Sequence, residues 1–220
     1  MNNLYYNTVS PRLLSTLQFL MKSKEFDTFR LVGGTSLSLQ LGHRASVDID
    51  LFSDSMYGSI DFEEIDRFLN QNFRYVDSFI CGVVGMGKTF YIGDAKDKCI
   101  KLDLYYTDPF IQPVKLVDGI RLASIEEIIA MKIEVFSKSG RKKDFWDIHE
   151  LIDDYSIQKM LDLHLERYPY SHNRKEILEN FVNFTSADND YNPICFRGKF
   201  WEVIKLDIVD KIKEFKSTNI

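Results

Sequence analysis

Asp48 and Asp50 lie one residue apart in Ser46-Val47-Asp48-Ile49-Asp50-Leu51-Phe52, a stretch that is otherwise mostly apolar. On a strand, residues two apart share a face. The two carboxylates would then stand side by side, with Val47, Ile49 and Leu51 turned to a core. Carboxylates that close repel, and one takes up a proton unless a cation intervenes. A divalent metal removes the conflict, and Mg²⁺ (or Mn²⁺) suits a few carboxylates together with phosphate oxygens and water. The competing reading is an edge strand with a wet polar face. Upstream, Gly33-Gly34 lets the backbone approach a ligand closely, and the helix expected after it offers free N–H groups to an anion. Thr35 and Ser36 add hydroxyls there. A phosphate-cradling turn beside a carboxylate pair suits a nucleotide–metal complex.

A third carboxylate fits the same chemistry. In Lys98–Tyr106, the residues Lys101, Asp103 and Tyr105 share one strand face and Ile100, Leu102 and Leu104 the other. If this strand pairs near Val47–Phe52, Asp103 joins the metal ligands or acts as a general base; otherwise it is a solvent-facing acid.

The elements that must carry these residues are readable from periodicity. Ser10-Pro11 opens a helix through Leu13, Leu14, Leu17 and Leu20. Phe29–Gly34 reads as a short strand ending in a glycine turn, Thr35–Gly42 as a short helix closed by Gly42, and Ser46–Phe52 as a strand. Residues 61–71 read as a helix, and 73–106 as a meander of three strands. Beyond Pro113 the pattern turns helical, from Ser124 with a capping box to Glu127, then over 142–154, 157–166, 173–185 and 199–215. The expected fold class is α+β, a mixed β-sheet core with flanking helices followed by a C-terminal helical domain. The expected division is residues 1–122 and 123–220.

The bulk numbers narrow the function. The chain has 220 residues, a net charge of −5 and a pI near 5.4, so no global basic field argues for nucleic acid. Ser137–Asp144, with Arg141, Lys142 and Lys143, is the best local basic patch, and equally a solvated connection between helices. Cys81, Cys99 and Cys195 form neither a zinc spacing nor a disulfide framework. No signal pattern opens the chain and no apolar run is long enough to span a bilayer. A cytoplasmic protein away from membranes is expected.

The order hydrophobic-Gly-Gly, about a dozen residues, then Asp-hydrophobic-Asp is similar to the signature of the nucleotidyltransferase superfamily. More narrowly, Gly33-Gly34-Thr35, Arg44-Ala45-Ser46 and Asp48-Ile49-Asp50-Leu51-Phe52 resemble the AbiEii/AbiGii toxin family, which includes the MenT-type toxins. The helical half resembles the same family through Lys132, Arg141 and Asp144-Phe145-Trp146-Asp147-Ile148. One departure is Lys143, where the family more often has arginine; charge is kept and bidentate bonding lost.

The resemblance implies a nucleotidyltransferase-like core and transfer of a nucleotide from an NTP to RNA, with tRNA 3′ ends as the class known for MenT-type members. It implies the toxin of a type IV toxin–antitoxin (abortive infection) system, with a separate antitoxin protein. Asp48, Asp50 and Asp103 would hold Mg²⁺. Gly33, Gly34, Thr35, Ser36, Arg44 and Ser46 would bind the nucleotide. Lys132 and Asp144 would belong to the catalytic set.

Lys132 has its own argument, because it interrupts the stripe Ile125, Ile128, Ile129, Ile133, Phe136 and must either snorkel or find a partner. The resemblance gives it the triphosphate. Asp144 is by position a first-turn helix acid, and by resemblance a site residue. Asp147 reads as a supporting residue, Trp146 as packing, and His43 as a surface histidine. Arg167, Arg174 and Lys175 read as a solvated helix face. The rival functions are nucleotidyl or phosphoryl transfer to a protein, or a nucleotide-binding regulator without catalysis.

Overall fold

A computed structural model of the chain describes residues 4–79 and 85–218. It divides into two compact units, Met1–Gln40 with Ser46–Ser124, and Leu41–Ala45 with Ile125–Ile220. Cys81 lies outside the described residues, as does most of the glycine-rich break expected before the second meander strand. Among the described residues no helix is long and apolar enough to cross a membrane.

The first unit is built on a mixed seven-stranded sheet among the described residues. Its strands are β1 (Arg30–Leu31), β2 (Ile49–Ser53), β3 (Tyr75–Phe79), β4 (Gly87–Gly93), β5 (Cys99–Tyr106), β6 (Lys115–Val117) and β7 (Ile120–Leu122). They are ordered β3-β4-β5-β2-β1-β7-β6. The expected meander is present, with β3, β4 and β5 joined antiparallel, while β5 runs parallel to β2. Alternation in β5 buries Ile100, Leu102, Leu104 and Tyr106 and leaves Lys101, Asp103 and Tyr105 on the more open face.

Three helices flank this sheet: α1 (Pro11–Lys22), α2 (Gly33–Leu41) and α3 (Phe62–Asn72). Ser10 caps α1 by accepting from the Leu13 N–H at 3.1 Å. Leu13, Leu17 and Leu20 of its inner stripe are buried in the core with Ile49 and Leu51. Gly42, at φ +70°, ends α2 as its position suggested.

Two expectations are corrected here. The strand begins at Ile49, and Val47 is 73% exposed, so it does not face the core. Extrapolating the alternation backwards fails because residues 45–48 are irregular. The second is an unforeseen hairpin, β6–β7, turned at Asp118 and Gly119, whose φ angles are +50° and +78°. Asp-Gly between apolar runs is the signal for that turn.

The second unit is helical: α4 (Ile125–Ser137), α5 (Lys142–Leu151), α6 (Ile157–Arg167), α7 (Arg174–Asn180) and α8 (Trp201–Thr218). Phe136 stacks on Phe181 at 5.1 Å between ring centres and meets Phe145 edge-on at 4.6 Å. Leu41–Ala45 belongs here because Arg44 bridges Cys195, with Ala45 N–H bonded to the Ile194 carbonyl and Phe196 N–H to the His43 carbonyl.

Candidate active site

The first unit gathers one set of the residues singled out by type. Parallel pairing of β2 with β5 puts Asp50 directly opposite Asp103. In-register neighbours on adjacent strands share a face. Asp48 immediately precedes β2. Gly33 starts α2 at φ +66°, and a Cβ there would lie 2.6 Å from Asp50 Oδ2. A side chain at 33 would thus occupy the space against the carboxylate, and a left-handed backbone disfavours any residue but glycine. The Val32 N–H donates to the Asp50 carbonyl at 2.9 Å, which ties the turn to β2.

Thr35 and Ser36 are buried. The Thr35 hydroxyl bonds the Ser46 hydroxyl at 2.8 Å and the Asp48 carbonyl, pinning the segment ahead of β2 to α2. Ser36 bonds Gln40 at 3.2 Å. Their hydroxyls serve the local framework, so what this turn offers a phosphate is its backbone N–H groups at a helix start.

Lys101 is the residue to which sequence reasoning gave no role. Its ammonium pairs with Asp103 Oδ2, while Thr89 donates to Asp103 Oδ1 at 2.6 Å. Burial would lower the Lys101 pKa, yet it is raised, because Asp103 bonds it and Asp50 and Asp48 add their fields. Asp103 therefore holds a cation here by direct contact, and Asp50 and Asp48 favour it only through their fields. Oxygen donors of this type suit Mg²⁺ or Mn²⁺. Among the described residues no three His, Cys, Asp or Glu side chains are gathered closely enough to hold a metal ion.

The second unit gathers the other set around Asp147, which is fully buried. Arg44 bonds it through two nitrogens, Nε to Oδ1 at 2.6 Å and Nη2 to Oδ2 at 2.8 Å. His43 Nε2 donates to Oδ1 at 2.7 Å, since an ionised carboxylate only accepts. Lys132 Nζ stands 2.6 Å from both Asp147 Oδ2 and Asp144 Oδ1. Asp144 Oδ2 accepts from the Arg141 N–H at 3.0 Å and so also caps α5.

The buried charges here are two cations, Arg44 and Lys132, and two anions, Asp144 and Asp147, with the exposed Arg141 reaching Asp144 Oδ2 at 3.5 Å. Burial would raise the Asp147 carboxyl; Lys132, Arg44 and the bond from His43 hold it well below the usual range. Asp144 is likewise lowered by Lys132 against burial. Lys132 is raised, because Asp144 and Asp147 outweigh burial and the repulsion of Arg44. His43 is not the surface histidine expected, and Arg167 is not on a solvated face: it is buried and paired with Glu127.

Residues 15–198 match the sequence model of the nucleotidyl transferase AbiEii toxin family of type IV toxin–antitoxin systems. The chain belongs to that family. As an AbiEii protein it is a nucleotidyltransferase toxin, and such a system implies an NTP substrate and an antitoxin. It is 26% identical over 200 residues to an uncharacterised protein of Aquifex aeolicus (strain VF5), covering 85% of this chain and 87% of that one. In structure it resembles a putative nucleotidyltransferase from Helicobacter pylori at TM-score 0.56 and 19% identity, covering 94% of this chain and 92% of that one. It also resembles MenT4, a nucleotidyltransferase toxin of Mycobacterium tuberculosis H37Rv, at TM-score 0.57 and 14% identity, covering 90% and 80% respectively. At such identities the likeness is one of fold, and it matches the α+β architecture described above.

Proposed function

We propose that this AbiEii protein transfers an NMP from an NTP to an RNA acceptor such as a tRNA 3′ end, with Mg²⁺. The observation that carries the proposal is the register Asp50 opposite Asp103, with the Gly33 turn against the Asp50 carboxylate. Asp48, Asp50 and Asp103 would hold the divalent cation. When bound, that cation would offset charge on phosphate oxygens.

The chain's own residues account for the rest. Gly33 and Gly34 admit phosphate oxygens close to the backbone at the start of α2, where N–H groups point outward. Asp103 would accept a proton from the acceptor hydroxyl. Lys101 holds Asp103 Oδ2 in this structure, so it must yield that oxygen before Asp103 can work. Lys132 and Arg44 are matched by Asp144 and Asp147, so the charge they offer a triphosphate is what those carboxylates leave over. An acidic chain favours contact with a short stretch of RNA over a long basic track.

The test is transfer from each α-³²P-labelled NTP, in turn, to total tRNA with Mg²⁺, beside Asp48→Ala and Lys132→Met. Label on tRNA that disappears with Asp48→Ala supports the proposal and names the base. Loss with Lys132→Met at an undisturbed fold adds Lys132 to the reacting set. Label on a protein band moves the acceptor to protein. Nucleotide binding without transfer to RNA or protein supports a regulator and overturns the proposal.

A further inference from the structure

Strand β4 pairs antiparallel with β5 so that Thr89 faces Asp103 and Gly87 faces Tyr105. Thr89 is only 2% exposed, although its hydroxyl is polar. Its Oγ1 lies 2.6 Å from Asp103 Oδ1 and 3.0 Å from the Tyr105 hydroxyl. A threonine hydroxyl has one proton. The Asp103 carboxylate, held against the Lys101 ammonium, only accepts, so that proton goes to Asp103. The Tyr105 hydroxyl must then be the donor to Thr89. The direction of the chain follows: Tyr105 O–H to Thr89 Oγ1, and Thr89 O–H to Asp103 Oδ1.

The surroundings are built for this order. A Cβ on Gly87 would collide with the Tyr105 ring and with the Leu104 carbonyl, so glycine is what lets the ring reach back along β4. A β-branched side chain at 89 has few rotamers, which fixes where its hydroxyl points. The two oxygens of Asp103 are thereby made unequal. Oδ1 is committed to Thr89, and Oδ2 is held by Lys101, whose ammonium also feels Asp50 and Asp48.

We infer that Thr89 and Tyr105 are positioning residues for Asp103, locking Oδ1 so that Oδ2 is the oxygen presented to the cation and the acceptor hydroxyl. The inference rests on the proposed role of Asp103 and extends it to residues that touch neither substrate nor metal.

The test compares Thr89→Val, Thr89→Ser, Tyr105→Phe and Thr89→Val/Tyr105→Phe, with Asp103→Asn as reference. Two readouts are used, Mn²⁺ binding followed by the EPR signal of free Mn²⁺, and the rate of labelled transfer. Thr89→Val keeps shape and loses the hydroxyl; residues that orient a ligand in this way are worth about 10–100-fold. Loss of that size in Mn²⁺ affinity and transfer rate is expected, with the KM for NTP unchanged and recovery in Thr89→Ser. Tyr105→Phe is expected to cost about 2–10-fold alone, the worth of one hydrogen bond, and nothing further in the Thr89→Val background. A purely structural role would lower the urea midpoint and leave the Mn²⁺ affinity of the folded protein unmoved. Thr89→Val within twofold of wild type, beside an inactive Asp103→Asn, overturns the inference and leaves the reading of Asp103 standing. Additive losses in the double variant overturn it as well. An Asp103→Asn protein that binds Mn²⁺ and transfers normally overturns that reading and the inference with it. Where Thr89→Val unfolds, Thr89→Ser and Tyr105→Phe decide: a silent Tyr105→Phe counts against the relay.

Discussion

Truncating Asp147 to alanine removes one carboxylate and takes a partner from three side chains at once. Arg44 loses both bonds to Asp147, at 2.6 and 2.8 Å, and keeps the one to the Ala45 carbonyl at 3.0 Å, His43 loses its only described Nε2 bond, at 2.7 Å, and Lys132 keeps Asp144. The side chains involved are 0% exposed for Asp147 and His43, 3% for Arg44 and 7% for Lys132, so water cannot take over. The remaining cluster holds two buried cations, with the exposed Arg141 at its edge, against one carboxylate. Removing one partner of a buried pair costs about 3–5 kcal/mol, most of it the uncompensated charge left behind. A unit of about a hundred residues is stable by roughly 5–15 kcal/mol in total.

Both tryptophans, Trp146 and Trp201, lie in the helical unit and stack at 6.2 Å. Urea unfolding followed by tryptophan fluorescence therefore reports this unit. With an m-value of about 2 kcal/mol/M, the midpoint is expected to fall by about 1.5–2.5 M at unchanged m. Asp144→Ala is the internal comparison. Lys132 then keeps Asp147, and one cap, the charged bond from Lys132 and a long, exposed contact from Arg141 are lost, about 1–3 kcal/mol. Adding Lys132→Met to Asp147→Ala restores charge balance, so the double variant should cost less than the sum of the singles. A drop below about 0.5 M for Asp147→Ala, or strict additivity in the double variant, would refute the view that this cluster is a dry, charge-balanced hub.

The remaining expectations concern both units. Gly33→Ala forces a side chain onto a φ of +66° and against Asp50 Oδ2 at 2.6 Å; a carboxylate displaced by about 1 Å should cost transfer about 100-fold while far-UV circular dichroism stays unchanged. Arg121 donates to the carbonyls of Phe29, Met21 and Phe26 at 3.0, 2.9 and 2.7 Å; Arg121→Met should destabilise the first unit by roughly 2–3 kcal/mol, read by circular dichroism in urea because no tryptophan lies there. Acid should weaken the helical unit in two stages. Burial holds His164 below its ordinary 6.5, despite its bond to Glu134, so the unfolded chain binds the extra proton and stability starts to fall as pH drops through that value. Asp144 and Asp147 are held below 3.8, so their contribution is complete above that pH and is lost below it. Urea midpoints by tryptophan fluorescence at pH 7, 5 and 3.5 should decline in that order, and a flat profile would contradict both shifts.

Much of the first unit was legible because its signals are local. Period two in Lys101-Leu102-Asp103-Leu104-Tyr105 separates a buried face from an open one, and β5 keeps that separation. The partner of Asp103 was legible only as a condition, since nothing in the chain states a register; pairing of β2 with β5 meets the condition with Asp50. Val47 shows the limit of extending a pattern past its element. The alternation continues on paper through residue 47, but the chain leaves the sheet before Ile49 and the valine faces water. The β6–β7 hairpin is hard to see from sequence although Asp118-Gly119 marks its turn, because its strands are only three residues each and follow Pro109 and Pro113.

The buried charges were harder for one physical reason. A cation in a dry interior needs a partner, and a stripe such as Ile125 to Phe136 shows that Lys132 needs one without naming it. For Lys132 the first partner, Asp144, is only 12 residues away and had been singled out; Asp147 is the second. For His43 the partner is 104 residues away, and for Arg44 it is 103. Both resolve to the same Asp147, which was read as a mere support. Arg167 repeats the case with Glu127, assigned from sequence to a helix cap and found instead against a guanidinium in the core. Lys101 fails the other way. Its partner is two residues off on the same face, so the pair was visible, and only the pairing of β2 with β5, which sets Asp50 opposite Asp103, brings it to the candidate site. A lysine beside an acid on a strand is ordinary; a lysine held by Asp103, with Asp50 in register on the next strand, is the cation that stands at the candidate site.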